Sequence, residues 1–438
     1  MSVQPAAGPT RKGAADGAAA PAPERIGTFA ALALRDFRLL LAGTTLSNAA
    51  QWIQMVTLGW LVYDMTGSGT MLGTVNLVRS VASLGLAPFA GVAIDRFDRR
   101  ALMMSVKAWL FVITLTLGFL LIFSNIDIWH LFLFTFLAGM AQAVDMPLRQ
   151  TATFDLVPRS LAPNAVALVQ TGWSLMRSLG PGIGGFLILW FGPGGNFLIQ
   201  AAAYALIAVT IVPMVFPPLK SAGRQGGLQN LVMGVKFVAG QRMTRTFMMM
   251  GWVLPLLIIP NYIALPPIYA KDVFHGGPDV LGMLQSAVGV GGILGGVVTA
   301  SLGPYERRGL VQLSSLFLLS LSLIGFALCS DLVLAMVSLA FSGFFEMIFL
   351  TTNQTLLQLS IPDELRGRVT SIVSLNAALA PLGAFVAGAG ADLLGPAAVT
   401  ILLNAAAAAV ALLVFLFSPT VREYRLSQAI APEAARSH

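Results

Sequence analysis

The chain has 438 residues, of which 56% are hydrophobic and only 10% are charged, and it carries a formal net charge of +7. Soluble domains carry about a quarter charged residues, so this composition excludes an ordinary water-soluble fold. The single Cys329 excludes a disulfide within the chain, and His130, His275 and His438 are too scattered to form a metal or haem site.

Residues 1–30 are rich in Ala, Gly and Pro and lack a continuous apolar core. They are expected to form a disordered tail, not a cleaved signal peptide. Apolar runs then recur at roughly 38–63, 70–94, 101–123, 128–148, 163–189, 195–216, 246–269, 279–302, 310–329, 332–355, 369–390 and 397–417. Each is long enough to cross about 30 Å of hydrocarbon as a helix. The expected fold is therefore an all-α integral membrane protein of about twelve transmembrane helices, with both ends on one side.

The basic residues orient these spans. One class of connections, together with the termini, holds Arg96, Arg99, Arg100, Arg149, Arg159, Lys220, Arg224, Lys236, Arg242, Arg245, Arg307, Arg308, Arg366 and Arg368. The end segments add Arg11, Lys12, Arg25, Arg35, Arg38, Arg422, Arg425 and Arg436. The opposite class holds Lys271 alone, and Arg79, Lys107 and Arg177 fall inside spans. This asymmetry places both termini in the cytoplasm. Attraction to anionic headgroups accounts for the net charge, so no nucleic-acid partner is expected.

The longest basic-side loop divides the spans six and six. The expected organisation is a tail over 1–30, a first half over 31–216, a linker over 217–245, a second half over 246–418 and a tail over 419–438. In the linker, Leu228, Leu231, Val232, Val235 and Val238 recur at helical spacing, which suits a short interfacial helix. The halves repeat one another weakly. Gln150-Thr151, Val157-Pro158 and Leu161 match Gln354-Thr355, Ile361-Pro362 and Leu365. Gly192-Pro193 echoes Gly395-Pro396, and Leu72-Gly73 echoes Leu281-Gly282. Duplicated halves facing each other across a cavity are the architecture of a secondary transporter.

The loop after span 2 reads Gly91-Val-Ala-Ile-Asp95-Arg96-Phe-Asp98-Arg99-Arg100. This pattern resembles the signature loop of the major facilitator superfamily. The resemblance implies that Gly91 packs against helix 11, that Asp95 meets the cytoplasmic end of that helix, and that Arg96, Arg99 and Arg100 help latch the halves in an outward-facing state. The equivalent loop of the second half, Gly303-Pro304-Tyr305-Glu306-Arg307-Arg308, keeps the Arg pair without the Asp-Arg pair. Span 5 contains Gly180-Pro181-Gly182-Ile-Gly184-Gly185, similar to the helix 5 motif of the superfamily's exporters. Close Gly packing against a neighbouring helix is the alternative reading of those glycines.

Four wider segments narrow the resemblance. They are Phe37-Arg38, Trp60 to Ser68, Asp145-Met-Pro147-Leu-Arg149-Gln150 and Pro362-Asp-Glu364-Leu-Arg366-Gly367-Arg368-Val369. Together they resemble the branch that includes enterobactin exporters and macrolide-efflux proteins.

Charge inside a span is costly and faces the protein interior. Arg79, Arg177 and Glu346 fall near mid-span. Glu346 reads either as a proton-exchanging group or as the partner of Arg79 or Arg177 in a bridge between the halves. Asp145 and Arg149, one helical turn apart, read either as a local ion pair or as a gating or relay element. Asn48, Gln51, Gln142, Gln170, Asn261, Tyr262, Gln285, Asn353 and Asn376 are candidates to line a substrate cavity, each being equally suited to an interhelical hydrogen bond.

The leading expectation is a monomeric, proton-coupled exporter of a small organic molecule, such as a siderophore or drug, in the bacterial inner membrane. An importer or lipid translocator on the same fold is the alternative. A membrane sensor or enzyme lacks its constellation in the sequence. No G-x-x-x-x-G-K-[ST] loop occurs, so a proton gradient is the expected energy source, with no cofactor and no metal.

Overall fold

Hydrocarbon offers no partner to a backbone N–H or C=O, so an apolar chain crosses it as helices that satisfy themselves. The computed structural model describes residues 29–217, 233, 236–301, 305–361, 365 and 376–424, and among these no strand occurs. The helices are α1 (Arg35–Thr66), α2 (Gly69–Arg96), α3 (Arg99–Phe123), α4 (Ile128–Asp155) and α5 (Ala162–Ile211). They continue with α6 (Arg242–Val273), α7 (Pro278–Ser301), α8 (Arg308–Leu328), α9 (Leu332–Leu359), α10 (Asn376–Leu394) and α11 (Pro396–Phe417).

Helix starts follow their capping residues. Asp98 accepts from the Ala101 N–H at 2.8 Å and Asp331 from the Leu334 N–H at 2.9 Å. Spans 5 and 6 lie on α5, which folds back on itself at Gly192 (φ 70°, ψ 171°). Gly395 (φ 84°, ψ 154°) turns α10 into α11 in the same way, and each glycine is followed by a proline that opens the next arm. Positive φ with extended ψ is open essentially to glycine alone. The Gly-Pro echo in the sequence is thus one corner used twice.

Span 7 departs from expectation. It is not one continuous helix over 246–269, because α6 is broken by π turns at Leu254–Ile258 and Tyr269–Val273. Pro255, Pro260, Pro266 and Pro267 remove backbone donors there. Asn261 Nδ2 donates to the Leu257 and Ile258 carbonyls, both at 2.9 Å, and so supplies donors inside the loosened stretch.

Within the first half, α5 packs on α1 and α3, and α2 on α4; within the second, α9 packs on α7 and α8, and α8 on α11. The halves join along two crossings, α5 with α7 and α2 with α10. Both are built of small residues. A β-carbon on Gly73 would collide with Phe385, and one on Gly282 would press against the Pro181 carbonyl, Gly182 and Gly185. The repeated Leu-Gly pairs therefore sit at the two joints between the halves. Close backbone approach through glycine is how helices associate where lipid removes the hydrophobic drive.

The face that carries residues 29 and 424 is called here the terminal face. Segments next to both ends are packed down. The Ala31 N–H donates to Asn164 Oδ1 at 3.0 Å, and Tyr424 stands edge-on to Phe247 at 5.8 Å. Residues 1–28 and 425–438, Leu228, Leu231, Val232 and Val235 of the linker, and Pro362, Glu364, Arg366, Gly367, Arg368 and Val369 lie outside the described residues.

Candidate functional site

The broken helix α6 is what opens a site. Leu254, Ile259, Asn261, Tyr262, Ile263 and Pro266 from its irregular stretch wall one side of a central cavity of about 230 Å³. Trp52 and Met55 of α1, Trp173, Arg177 and Pro181 of α5, Gln285 of α7, Phe326 of α8 and Glu346 of α9 complete it. Irregular backbone at membrane depth is tolerated where it lines a cavity.

The polar centre of this cavity is one ion pair between the halves. Arg177 Nη2 donates to both oxygens of Glu346 at 2.7 Å. Glu346 is almost fully enclosed, its side chain 3% exposed, while that of Arg177 is 17% exposed. The guanidinium lies 5.7 Å from the Trp173 ring centroid, and Trp173 meets Trp52 edge-on at 6.1 Å. Tyr262 donates to Ser342 Oγ at 3.1 Å, and Asn404 donates to Asn261 Oδ1 at 3.2 Å.

A second recess of about 400 Å³ continues from Trp173 toward the terminal face. It is walled by α1, α4 and α5, with Thr44, Asn48, Arg149, Gln150 and Gln170 among its lining. Beside it lies a buried charge cluster. Asp145 takes Lys107 Nζ on one oxygen at 2.6 Å and Arg149 Nε on the other at 3.0 Å. Lys107 also donates to Ser47 Oγ at 2.6 Å, and Arg149 to Asn48 Oδ1 at 3.0 Å. Arg79, Gln51, Gln54, Gln142 and Tyr204 face a small void against Asp145. Among the described residues Arg79 makes no hydrogen bond or ion pair.

The opposite face is tied shut. Asp392 of α10 accepts from Ser68 Oγ at 2.8 Å, the Gly69 N–H at 2.6 Å, and the N–H and Oγ1 of Thr70 at 2.9 and 2.6 Å. A carboxylate at this helix start is favoured by the orphan N–H groups and the dipole of α2. Tyr63 donates to Asp272, and Lys271 pairs with Asp64 at 2.6 Å. The molecule is therefore closed on the opposite face, with its recess extending toward the terminal face.

This fold, with its paired halves, central cavity and Gly-lined joints, agrees with what comparison gives. The family model described as transmembrane secretion effector, a branch of the major facilitator superfamily, matches residues 26–434. The chain belongs to that family. Its relatives include the staphyloferrin A transporter of Staphylococcus aureus, 27% identical over 78% of this chain and 86% of the relative. Another is the multidrug efflux pump Tap of Mycolicibacterium fortuitum, 26% identical over 82% of this chain and 89% of the relative. The crystal structure of a POT family transporter in complex with 5-aminolevulinic acid shares the fold, with a TM-score of 0.71, 14% identity and coverage of 89% of this chain and 97% of that one.

In this chain the sequence candidates separate into groups. Arg177, Glu346, Asn261, Tyr262 and Gln285 meet at the central cavity. Asn48, Gln170 and Arg149 line the recess. Gln51 and Gln142 face the void beside Arg79 and Asp145, not the central cavity. Asn353 accepts from Gln312 Nε2 at 2.5 Å and is an interhelical bond. The side chain of Asn376 lies outside the described residues.

The helix 5 motif is divided in purpose. Gly180 and Gly184 admit Trp52 and Ile53 of α1, while Gly185 admits the start of α7 from the other half, and Pro181 lines the cavity. In the signature loop, Asp95, Arg96 and Arg100 are exposed and nothing stands within 4 Å of a β-carbon on Gly91. Arg99 pairs with Asp155 of its own half at 3.1 Å and donates to the Ile94 carbonyl at 2.5 Å. The partner segment at the start of span 11 lies outside the described residues.

Lys107, Trp52, Trp173 and Asp392 were not among the expected site residues. Tryptophan ordinarily anchors at the membrane interface, so Trp52 and Trp173 at mid-span were the available signal.

Proposed function

We propose that this protein is a proton-coupled exporter of a small organic molecule in the bacterial plasma membrane, working as a monomer by alternating access. The terminal face is cytoplasmic, as its excess of Lys and Arg supports. The conformer described here is then inward-facing, and cargo enters from the cytoplasm through the recess beside Arg149.

The observation that carries the reading is the Arg177–Glu346 pair. It is the one ion pair among the described residues that joins the halves inside the cavity, so any group that competes with it acts on both halves at once. Cargo that engages Arg177 loosens the bridge, and the halves rock about the α5–α7 and α2–α10 joints to open the other face. There the cargo leaves, and a proton taken up by Glu346 from outside returns with it to the cytoplasm. A potential of about 100 mV contributes about 2.3 kcal/mol per charge moved. The names of the relatives, a siderophore transporter and a drug efflux pump, support an organic cargo moved outward.

The test is energised accumulation in cells that lack their own pumps, with siderophores, macrolides and cationic dyes, with and without a protonophore. Lower accumulation of one compound, reversed by the protonophore, is expected. Accumulation that rises on expression would make the protein an importer and overturn the reading.

A further inference from the structure

The cavity is unequal in what it offers a ligand. Glu346 has both oxygens taken by Arg177 and is nearly sealed from the cavity. Arg177 spends only Nη2 on that pair. Its Nε and Nη1 donate to nothing among the described residues, and neither is among the buried atoms without a partner, so both keep accessible surface on a side chain that lines the cavity. A guanidinium has five N–H donors in a planar fork that fits a carboxylate on two of them. A cation would have to displace Arg177 to reach Glu346, whereas an anion can dock first on the unused edge and from there draw the guanidinium away from Glu346, loosening the bridge.

Three further observations point the same way. Gln285, 91% buried on the wall of the same cavity, has its Oε1 enclosed and without a donor. Among the described residues its Nε2 is held only by the Tyr262 carbonyl at 3.5 Å, so a turn of the amide would offer a ligand hydroxyl or N–H an acceptor. Arg149 lines the recess that leads in, and Trp173 is shared by recess and cavity, so the two guanidinium groups mark one path. The charge of the interior is also lopsided. Among the described charged residues of the cavity, the recess and the buried cluster beside it, Arg79, Lys107, Arg149 and Arg177 stand against only Asp145 and Glu346, a surplus of two positive charges. Uncompensated charge enclosed between helices is expensive, and an anionic ligand would offset it.

We infer that the cargo is an organic anion. Its carboxylate docks on Nε and Nη1 of Arg177, its apolar body lies between Trp52, Trp173 and Phe326, and a neighbouring hydroxyl or N–H meets Gln285. This rests on the reading of the cavity as the cargo site and goes beyond it by fixing the sign of the charge.

The experiment is calorimetric binding to the purified, full-length protein in detergent of three probes matched in shape: 2-naphthoate, 2-naphthamide and 2-naphthylmethylamine. The carboxylate is expected to bind at least tenfold more tightly than the amide, and the amine more weakly than either. Glu346→Gln frees Nη2 and removes the opposing charge, so it is expected to tighten the carboxylate at least threefold. The charge-balanced double variant Arg177→Gln with Glu346→Gln is expected to hold the carboxylate and the amide within twofold of each other, and it avoids stranding a lone buried carboxylate.

An amine that binds as tightly as the carboxylate, a carboxylate preference that survives in the double variant, a Glu346→Gln protein that binds the carboxylate more weakly, or no binding of any probe would overturn the inference. Binding in detergent has no direction and no energy source. A protein that prefers the carboxylate yet produces no protonophore-sensitive export refutes the export reading alone. One that exports yet prefers the amine refutes this inference alone.

Discussion

Asp145 is the residue on which the first half depends most. One carboxylate, 2% exposed, holds both Lys107, fully buried, and Arg149. Removing one partner of a buried ion pair strands the other without solvent, at a cost of about 3–5 kcal/mol. Asp145→Asn strands two cations and is expected to lower the detergent unfolding midpoint and the yield of folded protein strongly. Lys107→Met leaves a balanced Asp145–Arg149 pair and an apolar stem, so its loss is expected to be less than half as large. Equal losses in the two variants would show that the cluster does not rest on the carboxylate.

The same residues show where sequence reasoning stops. The Asp145–Arg149 spacing was legible, because four residues bring side chains onto one helical face. Lys107 was visible as a charge within a span, but nothing local names a partner on another helix. Glu346 had two candidate partners, Arg79 and Arg177, and the register of α5 against α9 decides for Arg177. Asn353 and Gln142 had the composition of cavity residues. A polar side chain in a span bonds to another helix as readily as to a ligand, and periodicity gives a face without saying what lies opposite.

At the scale of elements, the repeat was the most informative signal. Gly192 and Gly395 became matching corners, and Gly73 and Gly282 became the two joints between the halves. The break in α6 was not foreseen although Pro255, Pro260, Pro266 and Pro267 were in view. Hydropathy sees an unbroken apolar run there, while the missing N–H groups decide the backbone.

The joint makes a prediction. Gly282→Val places branched carbon against the Pro181 carbonyl, Gly182 and Gly185, where the helices touch backbone to backbone. The opposite face is then expected to stay parted. Cysteines replacing Asp64 and Lys271, in a background in which Cys329 is serine, report on it. With a short bis-maleimide the cross-linking yield is expected to fall at least fivefold in the Gly282→Val protein, with the unfolding midpoint little changed. An unchanged yield would mean that the α5–α7 contact does not control closure.

The whole molecule is closed on one face by Asp392, Tyr63–Asp272 and Asp64–Lys271, and bridged at its centre by Arg177–Glu346. Each tie is a handful of hydrogen bonds, weak enough to part in every turn of the proposed cycle, which would be a shift between two packings rather than a deformation. The central claim is that the bridge couples cargo to protons.

Everted membrane vesicles test it most directly. They are loaded acidic inside and given the compound that the cellular panel identifies, with wild type and Glu346→Gln compared in two modes. Wild type is expected both to accumulate the compound against its gradient and to exchange labelled for unlabelled compound without a pH gradient. Glu346→Gln is expected to keep the exchange and to lose at least nine-tenths of the pH-driven accumulation, because it can bind and rock but has no carboxylate to carry the proton. Full pH-driven accumulation by Glu346→Gln would contradict the account.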